Sequence, residues 1–243
     1  MSGHSKWSTI KHKKGAADAK RAQFFSKLIR ELTAAVKEGG SDINSNPRLR
    51  LAIHNARGAN MPKENIERAI HKGSAADTSA FTNITYEGTF IRGAALIIEC
   101  TTDNLNRTVG NVRAIFNKQG ATLGKNGSVS FLFDRKGTFT VPENAVQDEE
   151  ALTLSLIELG LEEIVHDPEE GYFYITTSLA HFGAIQKELE KLHINVEQAS
   201  LRYLPHTQVE LDQLSFDKVM KLVELLEENE DTQCVYHNVI LSI

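Results

Sequence analysis

Between residues 137 and 203 the chain reads strand, helix, strand, strand, helix, strand, and this order constrains the fold more than any other feature. Strand patterns fall near 137–141, 162–166, 172–177 and 194–203, and helical spacing runs over 148–160 and 179–192. A βαββαβ series is the ferredoxin-like order. A shorter piece precedes it, with strands at 83–90, 94–101 and 127–134 and a helix at 104–119. A strand at 206–210, a helix at 215–229 and a strand at 233–241 follow it. The early piece lacks partners unless the tail returns to it. The expected fold class is therefore α+β. One ferredoxin-like unit, 137–204, is inserted into a second α+β unit made of 80–136 plus 205–243. Three consecutive domains are the alternative.

Residues 1–79 are of another kind. Residues 1–16 show no sustained period and read as an arm. A helix follows over 17–38, with Phe25, Leu28, Ile29, Leu32 and Val36 on one stripe, and Gly39-Gly40 ends it. A second helix starts at Asn46 as cap with Pro47 in its first turn. A third opens at Pro62 and stops at Gly73. Ser74 to Thr82 reads as a linker. The N-terminal domain is thus a basic arm and three helices.

Charge separates this head from the rest. Residues 1–73 hold nine lysines and six arginines against six acids, a sum of +9, whereas the other 170 residues hold 12 basic and 26 acidic groups, a sum of −14. A basic head on an acidic body is the footprint of a polyanion binder. Docking of the head on the acidic body is the competing reading. On the first helix, Lys20, Lys27, Arg30 and Lys37 fall opposite the apolar stripe, so one face can pack while the other meets phosphates. The arm adds Lys6, Lys11, His12, Lys13 and Lys14, with Arg21 just beyond. Trp7, the only tryptophan, can stack on a base or pin the arm to the domain. Arg48 and Arg50 open the second helix, where cations oppose the dipole and so point to an anionic partner. Arg107, beside the Asp103/Asn104 cap, is a further candidate for nucleic-acid contact, set against a simple capped turn. The third helix carries Lys63, Glu64, Glu67, Arg68 and Lys72, a mixed-charge surface poorly suited to reading bases.

Other classes find little support. No run approaches the roughly 18–20 apolar residues of a membrane span. Nine histidines are scattered, with no metal spacing and no nucleophile–base set. No enzyme activity, metal or cofactor is expected. Cys100 and Cys234 lie in strand-like runs and read as reduced, buried thiols of a cytoplasmic protein. Leu123 to Ser128 reads as a tight turn. Glu227, Glu228, Glu230 and Asp231, at the end of the last helix, oppose its dipole without a local partner.

As a whole the chain resembles the YebC family. The matching segments are Gly3-His4-Ser5-Lys6-Trp7, Ile10-Lys11-His12-Lys13-Lys14, Asp18-Ala19-Lys20-Arg21, Lys27-Leu28-Ile29-Arg30-Glu31-Leu32, Asn46-Pro47-Arg48-Leu49-Arg50 and Asn60-Met61-Pro62. In the body, Tyr86-Glu87-Gly88, Thr102-Asp103-Asn104, Asn106-Arg107-Thr108 and Gly127-Ser128-Val129 also fit. The resemblance implies a helical head and two α+β domains, one interrupting the other. It also implies a cytoplasmic, non-enzymatic regulator, here expected to be a monomer. The family carries two descriptions. One is a DNA-binding transcriptional regulator. The other, which includes the mitochondrial translational activator of cytochrome oxidase, is a ribosome-associated translation factor that binds ribosomal RNA and assists peptide-bond formation at proline-rich sequences.

Overall fold

The structure, a computed structural model, describes residues 18–75 and 81–242, the side chains of Asp18 to Arg21 excepted. The head is three helices, α1 (Asp18–Gly39), α2 (Pro47–Gly58) and α3 (Lys63–Ser74). Their apolar stripes meet in a core of Leu32, Ala35, Val36, Leu49, Ala52, Ile53, Ala56, Ile66 and Ala69. Asn46 joins the first two helices. Its side chain accepts from the Leu49 amide at 3.0 Å, capping α2, and donates to Ala35 O and Gly40 O at 2.8 and 2.7 Å, closing α1. Gly39 allows this approach, because a Cβ there would lie 2.7 Å from the Asn46 amide nitrogen.

The body starts with β1 (Thr82–Phe90), β2 (Ala94–Thr102), α4 (Leu105–Gln119) and β3 (Thr122–Leu123). The chain then builds β4 (Phe133–Pro142), α5 (Glu149–Ile157), β5 (Leu161–Asp167), β6 (Tyr172–Ser178), α6 (Phe182–Lys191) and β7 (Gln198–Pro205). It ends with β8 (Val209–Leu211), α7 (Gln213–Glu227), β9 (Thr232–His237) and β10 (Val239–Leu241). One sheet has the order β3-β1-β2-β9 and the other β5-β6-β4-β7, both antiparallel. The second order is the ferredoxin-like one. The first sheet is completed only by β9, which reaches β2 after the whole second sheet has been traversed. The insertion enters and leaves at one place, since Phe133 pairs with Pro205.

Each sheet has its own core. Leu96, Ile98, Cys100, Val112, Phe116, Val219, Leu222 and Leu226 lie between the first sheet and α4 and α7. Phe139, Val141, Leu152, Leu156, Phe173, Ile175, Ile185 and Leu189 fill the second under α5 and α6. A smaller cluster of Ala95, Ile97, Val129 and Phe133, with Tyr203 and Tyr236 against it, joins the two on the other face of the first sheet.

Two strand expectations need correction. Residues 127–132 do not extend a strand. They form a turn and a short 3-10 segment, Ser130–Leu132. The Glu87 carboxylate takes the amides of Gly127, Val129 and Ser130 at 2.8, 2.7 and 2.9 Å, and those are the donors a ladder would need. The expected strand at 233–241 is two strands. Asn238 breaks it with a buried side chain that accepts from the Ala95 amide at 2.8 Å, after which β10 runs parallel to β8.

Candidate nucleic-acid interface

The basic face of α1 is the natural starting point, and within the described residues its Lys27 and Arg30 are turned to the body. Gln23 donates to Glu227 O and Glu228 O at 3.2 and 2.8 Å, and Lys27 Nζ to Glu227 O at 2.8 Å. Arg30 donates to Glu230 O at 2.6 Å and to Asp231 Oδ1 at 2.7 Å, and reaches Glu230 Oε2 at 3.0 Å. These are carbonyls and carboxylates at and just beyond the end of α7. A helix end of this kind attracts cations. Of the acids that found no local partner in the sequence, Glu230 and Asp231 have their counter-charge in Arg30 of α1, about 200 residues away. Burial at this junction holds the Lys27 ammonium below its ordinary range, with Cys234 and Glu227 working the other way.

Asp231 is the centre of the junction. Its side chain is 3% exposed, yet it serves Arg30, Arg107 at 2.9 Å and the Thr108 hydroxyl at 2.8 Å. Arg107 also pairs with Asp103 at 2.8 Å, while Asn104 caps α4 through the Arg107 amide at 3.0 Å. Arg107 is thereby tied to the head junction as well as to its own turn.

A second junction fixes α2 to β7. Asn55 donates to Ala199 O at 2.8 Å and accepts from Ala199 N at 3.2 Å, pairing with the strand edge as another strand would. His54 Nε2 donates to Val196 O at 2.9 Å. Gly58 packs on the same segment, where a Cβ would lie 2.5 Å from Glu197 O.

The other expected contact residues divide into three groups. Lys37 caps α3 by donating to Ala75 O at 2.7 Å. Arg48 is held inside the head by Glu31 at 2.9 Å and by Glu38. Arg50 lies half-buried with no ion pair among the described residues, and Arg57 and Arg68, which were not singled out for contact, are exposed and equally unpaired there. Arg50 and Arg57 are seven residues apart, so they share one face of α2. Lys6, Trp7, Lys11, His12, Lys13 and Lys14 lie outside the described residues, as do the side chains of Lys20 and Arg21. On α3, Lys63 pairs with Glu67 at 3.5 Å.

Sequence reasoning missed Gln23 and Asn55, and it singled out Asp231 without its partners. Those partners are distant backbone groups and, for Asp231, Arg30, Arg107 and Thr108, which no local pattern announces. Cys234 corrects another expectation. Cys100 is buried and its thiol is pushed up to about 11 by burial, but Cys234 is exposed on the sheet face opposite α4 and α7. Among the described residues no group of three His, Cys, Asp or Glu side chains could hold a metal, and no helix is long and apolar enough to cross a membrane.

Two sequence profiles match the chain. That of the TACO1/YebC protein N-terminal domain covers residues 5–76, and that of the TACO1/YebC second and third domain covers residues 81–239. A probable transcriptional regulatory protein of Amoebophilus asiaticus is 66% identical over 98% of each chain. One of the same name from Persephonella marina is 47% identical over 100% of this chain and 97% of its own. The crystal structure of a conserved hypothetical protein from Aquifex aeolicus superposes with a TM-score of 0.87 at 42% identity, covering 98% of both chains.

Proposed function

The chain belongs to the TACO1/YebC family, and we propose that it is a nucleic-acid-binding regulator of gene expression whose basic head grips the phosphate backbone of DNA. The carrying observation is what remains of the head's charge once its internal partners are counted. Lys27, Arg30 and Arg48 are engaged by acids or carbonyls of the protein itself. Among the described residues Arg50, Arg57 and Arg68 have no ion pair, and the sequence outside them adds Lys6, Lys11, Lys13 and Lys14 in a stretch, 1–17, that contains no acid, followed by Lys20 and Arg21. Trp7 and His12 on the arm add a stacking surface and a second kind of donor. Such a set suits phosphates rather than base edges.

The test is fluorescence anisotropy with duplex DNA across a salt series. Affinity should fall with a log–log slope of roughly −4 to −6, as for about five or six phosphate contacts. Deleting residues 1–16 should flatten that slope by roughly three or four units. A slope near zero in the full-length protein sinks the reading. A promoter preferred over random duplex supports a sequence-specific regulator, and equal binding to all duplexes removes that form of it.

The mixed charge of α3, where Glu64 and Glu67 stand beside Lys63 and Arg68, favours a second reading. With no clean base-reading surface, a folded RNA is an equally good backbone to grip, and the ribosome is then the partner. The same titrations with ribosomal RNA fragments separate the two.

A further inference from the structure

The first sheet has two unlike faces. Ile84, Tyr86, Leu96, Ile98 and Cys100 point to α4 and α7. The other face carries Asn83, Thr85 and Glu87 on β1, and Glu99 and Tyr236 on β2 and β9. A cavity of about 670 Å³ opens on that face, lined among others by Asn83, Thr85, Glu87, Asn126, Ser130 and Tyr203.

Two kinds of chemistry meet in it. The first is aromatic. The Arg135 guanidinium lies 5.7 Å over the Tyr203 ring, and Tyr236 meets that ring edge-on at 5.4 Å and 65°. Tyr236 is in turn anchored by donating to Glu99 at 2.8 Å. The Tyr203 ring is therefore a fixed wall. The second is amide and hydroxyl. Asn126 makes no hydrogen bond among the described residues, and Asn83 uses only its oxygen, accepting from the Thr101 hydroxyl at 2.8 Å. Thr85 lines the cavity from β1 as well.

The turn carrying Asn126 leads into Phe131, whose 69% exposure is the highest of any large apolar side chain described. This ring is not on a slack loop, because the buried Glu87 carboxylate ties down Gly127, Val129 and Ser130. A rigid support that holds a phenyl ring in water, on the residue next to Ser130 of the cavity wall, together with the Tyr203 wall and spare amide groups, matches the needs of an unpaired base. The rings offer stacking to any base, and the amides offer donors and acceptors to its edge. Lys125 on the same turn supplies a cation for the adjoining phosphates, while Arg135 beside Tyr203 is paired with Glu99 at 3.7 Å.

We propose that this cavity and Phe131 form a site for an unpaired nucleobase of a single strand, distinct from the phosphate-gripping head. The site rests on the nucleic-acid reading above. Full-length protein is titrated with single-stranded RNA and single-stranded DNA of about 12 nucleotides, each carrying a central 2-aminopurine, and with the matching duplex. The single strands should bind with quenching of 2-aminopurine. Phe131→Ala and Asn126→Ala should each weaken single-strand binding by about five- to tenfold, as loss of stacking or of an edge contact does, and leave duplex binding within about twofold. Both side chains are exposed, and a thermal melt confirms that each variant is folded. Tighter RNA than DNA binding adds the 2′-hydroxyl to what is recognised, and equal binding assigns recognition to the base. Single-strand binding unchanged in both variants overturns the site and leaves the head's role standing. A wild-type protein that binds neither single strand nor duplex overturns both.

Discussion

Glu87 lies on β1 with 2% of its surface exposed, and it organises the segment between β3 and β4. Burial by itself would raise its carboxyl; the amides of Val129, Gly127 and Ser130 outweigh that and hold it below the usual carboxylate range. A group whose folded value is depressed adds stability above its unfolded value and loses it as the pH falls through the folded one. The turn should therefore be firm at neutral pH and loosen under acid, below the ordinary glutamate range. Glu87→Gln keeps the shape but removes the charge that strengthens three bonds. It should cost about 2 kcal/mol in urea unfolding at pH 7, and the gap between wild type and variant should close as the pH is lowered. A gap independent of pH would deny the carboxylate its role. In the sequence Tyr86-Glu87-Gly88 could be matched to a family pattern, but its partners at 127–130 could not be read, so that segment looked like a strand.

At the scale of elements, α1 shows how far a helical pattern can be trusted. Its apolar stripe packs as the spacing requires, with Leu32 and Val36 in the core of the head. Its basic face was equally clear, but a face says nothing about what it meets. Lys27 and Arg30 could serve phosphates or acids equally well, and the end of α7 supplies acids and carbonyls at 2.6–3.0 Å. Arg30→Ala leaves Asp231 to Arg107 and Thr108 and the Lys27 contact in place, but removes the head's ion pairs with Asp231 and Glu230. Charge-assisted bonds at a site 19% and 3% exposed are worth about 2–3 kcal/mol. The variant should show an unfolding free energy lower by about that amount and faster proteolysis between the head and β1. Unchanged proteolysis would mean that α2, through Asn55 and β7, holds the head alone. The cap at Asn46 and the Gly39-Gly40 stop were legible because both act within one turn of the residues they serve.

For the whole molecule, the order of strands sets which parts can stand alone. Residues 133–205 contain all four strands of the second sheet, both of its helices and a closed core. Excised, this segment should unfold cooperatively in a circular-dichroism melt. Residues 81–132 lack β9 and α7, which provide an edge strand and Val219, Leu222 and Leu226 of the first core. That fragment should show no cooperative transition. A stable 81–132 would mean that the returning tail is an addition to the first sheet and not part of it. The charge split belongs to this scale too. The +9 head is attached to the −14 body through a few specific contacts, and the arm contributes lysines without a single acid. Both readings of that asymmetry, docking and polyanion binding, therefore draw on different members of one set of cations.

The amino-acid sequence by itself determined the order of elements, the helix caps, the ferredoxin-like middle and the separation of charge. These follow from periodicity and from side chains acting on backbone a few residues away, so they are written locally. The tertiary structure decided which cations are occupied, why the acidic end of α7 is stable, why residues 127–132 leave the ladder, and that Cys234 faces outward while Cys100 is buried. Each of those depends on what lies within a few ångströms after residues such as Lys27 and Glu227 have come together. The strength of a charge or a hydrogen bond is set by that surrounding and not by the residue's own neighbours in the chain.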